Sequence, residues 1–371
     1  MGRIHKNRYL ATALLTAILI VSITVQLNLT VSSSVITVPD DYQTIQEAIN
    51  AAREGDTVFV KAGQYNESIT IDKSLNLTGE DKETTIIDGD YAMRVVLVKA
   101  NYVNITGFTI QNSRKGDIVT VSNFVMEKPI GAISLVESIG CVIKNNTMQR
   151  VSAGVHIGKG SNNITVSDNK IIFDESYYSI VAFGVVSFAL SSPTGGTTIS
   201  NNYVEGSYYG LFLVGSNNKI TGNYVDCRIY GIQLIGKGAA ILGSSILSPY
   251  ECDYNIVADN TIGGGNYGFL AERSHNNIVN NNNFSYFAGS LYLKECNSNT
   301  LRNNTLSNFG VEGSELSHFM NDIDTSNTVR GRPIYYVINQ SDLQINPLIY
   351  PSIGYLGIVN SKNVTLWRLS M

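Results

Sequence analysis

Ile199-Ser-Asn-Asn202-Tyr-Val204 and Ile220-Thr-Gly-Asn223-Tyr-Val225 are two copies of one phrase: apolar, two variable residues, Asn, one residue, apolar. The same phrase surrounds Asn146, Asn169, Asn260, Asn282 and Asn304. Successive asparagines lie 23, 33, 21, 37, 22 and 22 residues apart. Four of the six steps fall within one residue of 22, and the steps of 33 and 37 read as one period plus an insertion. A further copy, Ile105 to Ile110, carries Phe108 in the Asn slot. A fixed period of this size marks stacked structural repeats.

A second phrase, Gly followed by alternating apolar residues, precedes most copies: Gly154-Val-His-Ile, Gly210-Leu-Phe-Leu, Gly231-Ile-Gln-Leu and Gly268-Phe-Leu-Ala. Alternation with period 2 predicts short strands. A unit of short strands cannot bury its apolar face alone, whereas stacked copies can. The predicted class is therefore all-β, a single-stranded parallel β-helix of about eleven turns, each one strand spacing above the last. The Asn of each phrase is assigned to a corner, because Asn tolerates the left-handed backbone that a sharp corner needs. Equivalent side chains then stack into a hydrogen-bonded ladder.

Composition agrees. The chain has 371 residues, of which 39 are Asn and 33 Gly, with 15% charged. Asn and Gly are poor in helix interiors, which disfavours an all-helical fold. Normal apolar content and a net charge of −4 disfavour disorder. A pI of 5.6 gives no electrostatic case for a nucleic-acid partner.

Residues 1–34 read as a signal peptide or an N-terminal membrane anchor. Arg3, His5, Lys6 and Arg8 precede the uncharged apolar run Leu10 to Val25. Residues 35–371 are assigned to the β-helix domain, and membrane contact is expected only through the leader. Within that domain, 40–54 is predicted as a capping helix, since Ile45, Ala48, Ile49 and Ala52 share one face. Asp40 or Asp41 would cap its start, and Gly55 would stop it. Thr57 to Val60 would be the first strand. At the other end, Val364-Thr-Leu366 restarts a strand phrase just before Met371, so either Lys362 and Arg368 guard the edge of the last turn or the sequence is truncated there.

The stretch Val38-Pro-Asp-Asp-Tyr-Gln-Thr-Ile-Gln-Glu-Ala-Ile49, followed by Gly55-Asp-Thr-Val-Phe-Val60 and Gly63-Gln-Tyr-Asn-Glu67, resembles the start of pectin-lyase-like right-handed β-helix proteins. The repeats, with Gly331-Arg-Pro-Ile-Tyr-Tyr-Val-Ile-Asn-Gln340 and Gly354-Tyr-Leu-Gly-Ile-Val-Asn360, are similar to the NosD-like family. The resemblance covers residues 36–371 and implies a right-handed coil of the carbohydrate-binding and sugar-hydrolase type. It also implies two enzymatic alternatives, a polysaccharide lyase or a glycoside hydrolase, and a third role in copper-site maturation.

None of those chemistries has an evident constellation in the sequence, so the catalytic residues are unknown. Glycoside hydrolysis needs two carboxyls about one bond, yet the acids are scattered: Asp168, Asp174, Glu175, Glu205, Asp226 and Asp259. A lyase needs a base, often with calcium held by carboxylates. Lys144, Arg150, Lys170 and Lys219 stand beside no acidic cluster. Copper would need grouped His, Cys or Met, and His156, His275 and His318 are far apart. No metal ligand set or cofactor is therefore assigned. Cys227 and Cys252 bracket an irregular stretch that a disulfide would close. The alternative is that these two, with Cys141 and Cys296, are small buried residues.

The binding signal is more coherent. Phe183, Tyr209, Tyr230 and Tyr267 all occupy the residue before a strand Gly, with Tyr177, Tyr178, Tyr208, Tyr286 and Phe287 nearby. Equal repeat positions stack, so these aromatics would form a platform for sugar rings or an internal column. The insertions 113–130, 173–196 and 236–253 are the loops on which binding would be built; the last is bland enough to pack over a face. The expected partner is thus a polysaccharide or another cell-surface component. Ten Asn-x-Ser/Thr sequons, Asn145, Asn163 and Asn303 among them, are glycan acceptors wherever they point outward.

Overall fold

The computed structural model describes residues 33–113, 131–173, 182–187, 191–241, 247–284 and 289–368. Val35–Met371 form one compact unit and Met1–Ser34 another. The leader run, Asp174, Glu175, Tyr177, Tyr178, Tyr286 and Phe287 lie outside the described residues.

The repeat folds into a parallel β-helix. Twelve short strands, from Val35–Val38 to Asp322–Ile323, stack in parallel into one sheet, and the remaining strands of the coil form the other walls. The apolar residue that opens each phrase always takes the same place. Leu77, Ile105, Ile143, Val166, Ile199, Ile220, Val257, Val279 and Leu301 lie in register on successive rungs. All are at most 1% exposed, and the column runs the length of the core. Burying each such side chain stabilises the coil by roughly 1.5–3 kcal/mol before conformational entropy is set against it.

The ladder and the corner belong to different residues. Positive φ falls on the residue before each ladder Asn: Asn145, Asp168, Asn201, Gly222, Asp259, Asn281 and Asn303. The corner residue is exposed, and Asn, Asp or Gly serves there because each tolerates the left-handed region. The ladder Asn that follows it turns inward. Asn146, Asn169, Asn202, Asn223, Asn260, Asn282 and Asn304 are at most 2% exposed. In each rung Oδ1 accepts from the backbone N–H and Nδ2 of the Asn one turn earlier; Asn260, for example, donates both to Asn282 Oδ1, at 3.0 and 2.9 Å. The row ends on Asn327, which accepts from Asn304. At its start the Phe108 N–H donates to Asn146 Oδ1 at 3.1 Å, so an apolar residue fills that slot without orphaning the acceptor.

A second ladder runs through Asn218, Asn255, Asn277, Asn299 and Asn321, and the phrase count does not reveal it. Asn255 N–H and Nδ2 both donate to Asn277 Oδ1 at 2.9 Å, and Asn277 repeats the pattern on Asn299. The corner residues ahead of it include Asn217, Tyr254, Asn276 and Ser298.

At the N-terminal end, the helix spans Ile45–Ala51 and buries Ile45, Ala48 and Ile49. It is shorter than 40–54, and Thr44 caps it through a capping box with Glu47. Asp40 and Asp41 serve the preceding turn instead: Asp41 Oδ2 accepts from Thr37 N–H, and Asp40 pairs with Lys61. Glu67 reaches in from the next turn and accepts the N–H groups of Ile45 and Gln46 at 2.9 and 3.0 Å. A carboxylate at a helix N-terminus is favoured by the dipole and by the orphan donors there. Thr57–Val60 is the second strand of its sheet and not the first, because Val35–Val38 pairs beneath it. At the C-terminal end, Thr365–Leu366 pairs in parallel with Gln344–Ile345.

All four cysteines are free and buried, so no bridge joins Cys227 to Cys252. Cys252 Sγ lies against the Leu213 carbonyl, and Cys227 is in register with Ser207. Burial pushes the thiols of Cys227, Cys252 and Cys296 up to about 12.

Candidate functional site

One lateral face carries the aromatic column. The strands Tyr203–Leu213, Tyr224–Ile235, Tyr267–Glu272 and Gly289–Lys294 stack in parallel there. From Ile232 to Ile235 inward and outward residues alternate, and each outward position builds its own row up the coil. The first row is Phe183, Tyr209, Tyr230, Tyr267 and then Gly289. A second is Phe212, Gln233, Leu270 and Tyr292. The third is Ile235, Glu272, Lys294 and Glu312.

The tyrosines stack on one another. Centroids are 5.6 Å apart for Tyr209–Tyr230 and 5.3 Å for Tyr230–Tyr267, with planes within 16° and 11°. The faces of Tyr209 and Tyr230 are therefore covered by neighbouring rings, and the column shows ring edges outward. This differs from a flat platform: one strand spacing between rungs brings equivalent rings to stacking distance and hides their faces. Phe183 is 1% exposed and stacks under Tyr209 at 5.0 Å, so it closes the column and offers no surface. It belongs to a small cluster with Phe212, Val214, Ile235, Ala239 and Ile241. Ala239 and Ile241 come from the bland insertion and pack over this face.

Beside the column lies a cleft of ≈ 380 Å³ lined by Tyr209, Tyr230, Gln233, Ala240, Tyr267, Leu270, Glu272, Tyr292, Lys294 and Glu312. Its floor is polar. Lys294 Nζ donates to Glu272 Oε1 at 2.8 Å, and this bond raises the lysine pKa. Tyr292 Oη donates to Glu312 Oε2. Burial, with Glu312 beside it, pushes the Tyr292 phenol up to about 12. Burial likewise raises Tyr209 and Tyr230, which stay neutral donors. Gln233 is 4% exposed, and its Oε1 has no hydrogen-bond partner among the described residues.

The acids and bases weighed from sequence fall elsewhere. Glu205 and Asp226 are neighbours in register, and Tyr203 Oη donates to Glu205 at 3.0 Å. Lys144 pairs with Asp168 at 3.7 Å on an exposed edge. A larger cleft of ≈ 660 Å³ lies between Asp322–Ile323 and Tyr336–Ile338, but its single carboxylate, Asp322, is held by Arg302 at 2.5 Å. Glu272, Lys294, Glu312, Gln233 and Tyr292 escaped the sequence reading. Their signal is the offset from the strand Gly. Gln233 and Leu270 stand two residues after Gly231 and Gly268, and Ile235 and Glu272 stand four after them.

These features define a parallel β-helix protein with a walled lateral cleft. The chain belongs to the NosD family, described as "Periplasmic copper-binding protein (NosD)", whose profile matches residues 49–243 and 192–332. No curated protein matches it. Among solved structures it is similar to PfbA, a surface adhesin of Streptococcus pneumoniae, with 14% identity and a TM-score of 0.48, covering 89% of this chain and 87% of that one. The GH136 lacto-N-biosidase of Eubacterium ramulus gives 11% identity and 0.48, covering 87% of this chain and 64% of that one. An alginate lyase from Paenibacillus sp. str. FPU-7 gives 14% and 0.39, covering 71% and 99%.

The described residues do not fit a copper centre. Among the described residues, no three of His, Cys, Asp and Glu converge. His275 Nδ1 accepts from Asn297 N–H, and His318 Nδ1 accepts from Ser314 and Glu315 N–H. His156 is buried on its strand, in register with Ser134 and Val186. The buried thiols are held protonated, whereas a cysteine ligates copper as its thiolate. Nor is any helix among the described residues long and apolar enough to cross a membrane.

Proposed function

We propose that this protein is an exported β-helix scaffold that binds carbohydrate in the cleft beside Tyr209, Tyr230 and Tyr267. The observation that carries this reading is the pairing of a rigid aromatic wall with a polar floor on one face. Sugars present many hydroxyls around a compact apolar body. Ring edges carry the positive end of the aromatic quadrupole and suit sugar oxygens. The phenols, the Gln233 amide, Lys294 and the carboxylates supply hydrogen bonds in fixed places. Sites built on strands hold such groups more precisely than loops do. Export rests on the basic and apolar character of residues 1–34.

A glycan array with the purified chain tests the proposal, followed by calorimetry on any hit. Tyr230→Ala is expected to weaken binding at least about tenfold, equivalent to ~1.4 kcal/mol. Tyr203→Ala, at an exposed stacked pair remote from the cleft in register, is expected to leave it unchanged. No binding to any glycan sinks the proposal, and so does equal binding by wild type and Tyr230→Ala.

A further inference from the structure

The cleft is selective in charge as well as in shape. Its ionisable floor consists of Glu272, Lys294 and Glu312, one above the other on three successive rungs. Two carboxylates against one ammonium leave one negative charge. Lys294 is already committed to Glu272, whose side chain is only 14% exposed. An incoming carboxylate would meet the exposed Glu312 and the largely buried Glu272, with no uncommitted cation among the described residues lining the cleft to receive it, and like charges brought together repel, most at Glu272 where water screens least.

Gln233 is the second and independent observation. Its neighbours along the strand, Ile232 and Leu234, point into the core, so Gln233 points outward. Along its row it lies between Phe212 and Leu270, which offer no polar atom to the amide. A buried amide oxygen without a donor costs stability. Such a group persists where a ligand completes it, and the natural complement of Oε1 is a hydroxyl or an N–H. The nearby carboxylates ask for donors as well. Phenols and Lys294 supply the remaining donor capacity.

Resting on the carbohydrate reading above, we infer that the cleft takes uncharged or amino sugars, excludes uronates, and reads one ligand hydroxyl or N–H through Gln233 Oε1. The ligand class is thus a neutral hexose or N-acetylhexosamine oligomer, with its donors turned toward Gln233 and Glu312.

The test uses the full chain and two probes, N-acetylglucosamine oligomers and galacturonate oligomers, by titration calorimetry at low and high salt. Wild type is expected to bind the neutral probe at least about tenfold tighter, with the gap narrowing as salt screens the carboxylates. Gln233→Leu is expected to weaken neutral-probe binding about tenfold while its thermal unfolding stays level or rises, since the orphaned oxygen is gone. The double variant Glu272→Gln with Glu312→Gln is expected to bring the two probes within about threefold of each other. Uronate bound as tightly as the neutral probe overturns the inference and leaves the carbohydrate reading standing. A Gln233→Leu chain that unfolds earlier marks the amide as structural and overturns its assigned role. Binding of neither probe, with hits absent across the array, removes the carbohydrate reading and this inference together.

Discussion

Asn260→Ala is the sharpest perturbation of the fold. The Asn260 side chain donates to the Ile220 carbonyl at 2.9 Å and to Asn282 Oδ1 at 2.9 Å. It accepts from Asn223 N–H at 3.0 Å and from Asn223 Nδ2 at 2.9 Å. Alanine removes all four bonds. It leaves the Asn223 N–H buried without its acceptor, while Asn223 Nδ2 keeps its bonds to the Ile199 and Thr221 carbonyls. The orphaned donor costs roughly 1–3 kcal/mol, and the remaining lost bonds are worth about 0.5–1.5 kcal/mol each. We expect a loss of about 3–5 kcal/mol. The control is Asn281→Gly, at an exposed corner residue with φ 55°, where glycine adopts the same backbone freely. Its cost should stay below about 1 kcal/mol. Urea unfolding followed by circular dichroism reads both, as a shift in midpoint at constant slope. A cost below about 1 kcal/mol for Asn260→Ala, or one equal to the control, would show that the ladder adds nothing beyond the apolar columns and would refute the reasoning.

Three further outcomes are expected. All four thiols should be silent to a disulfide reagent at mild alkaline pH in the folded chain and react together on denaturation, because burial holds three of them near 12 and raises Cys141 as well; fast labelling of any one in the native state would contradict the packing described. Tyr292 titrates near 12 in the folded state against 10 in the open chain, so between those values the unfolded chain loses its proton first and stability falls as pH rises. Lys294 acts in the same direction: its contribution is complete below 10.5 and is lost as pH climbs through its raised value. Glu312→Gln should move one phenolate to lower pH in an ultraviolet titration, and superimposable curves for the two proteins would count against the Tyr292–Glu312 bond.

The coil and one ladder are legible in sequence because they repeat at a single offset. Asn202 and Asn223 announce themselves through their apolar neighbours. Asn255 and Asn299 are less conspicuous: they recur as Asn, one residue, apolar (Asn255-Ile-Val257, Asn299-Thr-Leu301), a shorter phrase that overlaps the start of the first one and is masked by varied neighbours such as Tyr254 and Ser298. Corners ask only for a tolerable left-handed backbone, so their identities drift, and the eye assigns the corner to the invariant Asn beside it. The aromatic row is visible from Tyr209, Tyr230 and Tyr267, but its consequence is not. That the rings cover one another's faces follows from rung spacing, which no single repeat contains. The floor is harder still: Glu272, Lys294 and Glu312 are different residue types on three rungs, and they become one feature only when register is known. Phe183 looks equivalent to the tyrosines until the insertion bearing Ala239 and Ile241 is seen to bury it.

The ladder bonds have one property that bears on how such a protein changes over time. Asn169 reaches Asn202 across 33 residues at 3.0 Å, Asn223 reaches Asn260 across 37 at 2.9 Å, and Asn260 reaches Asn282 across 22 at 2.9 Å. The joint between rungs is blind to the length of chain that connects them. Sequence can therefore be spliced in or cut out between two asparagines while the spine above and below keeps its alignment. A lineage built on this spine can acquire a new wall, and with it a new specificity, in one insertion event, and the cleft lies where one such wall, carrying Ala240, meets the tyrosine column.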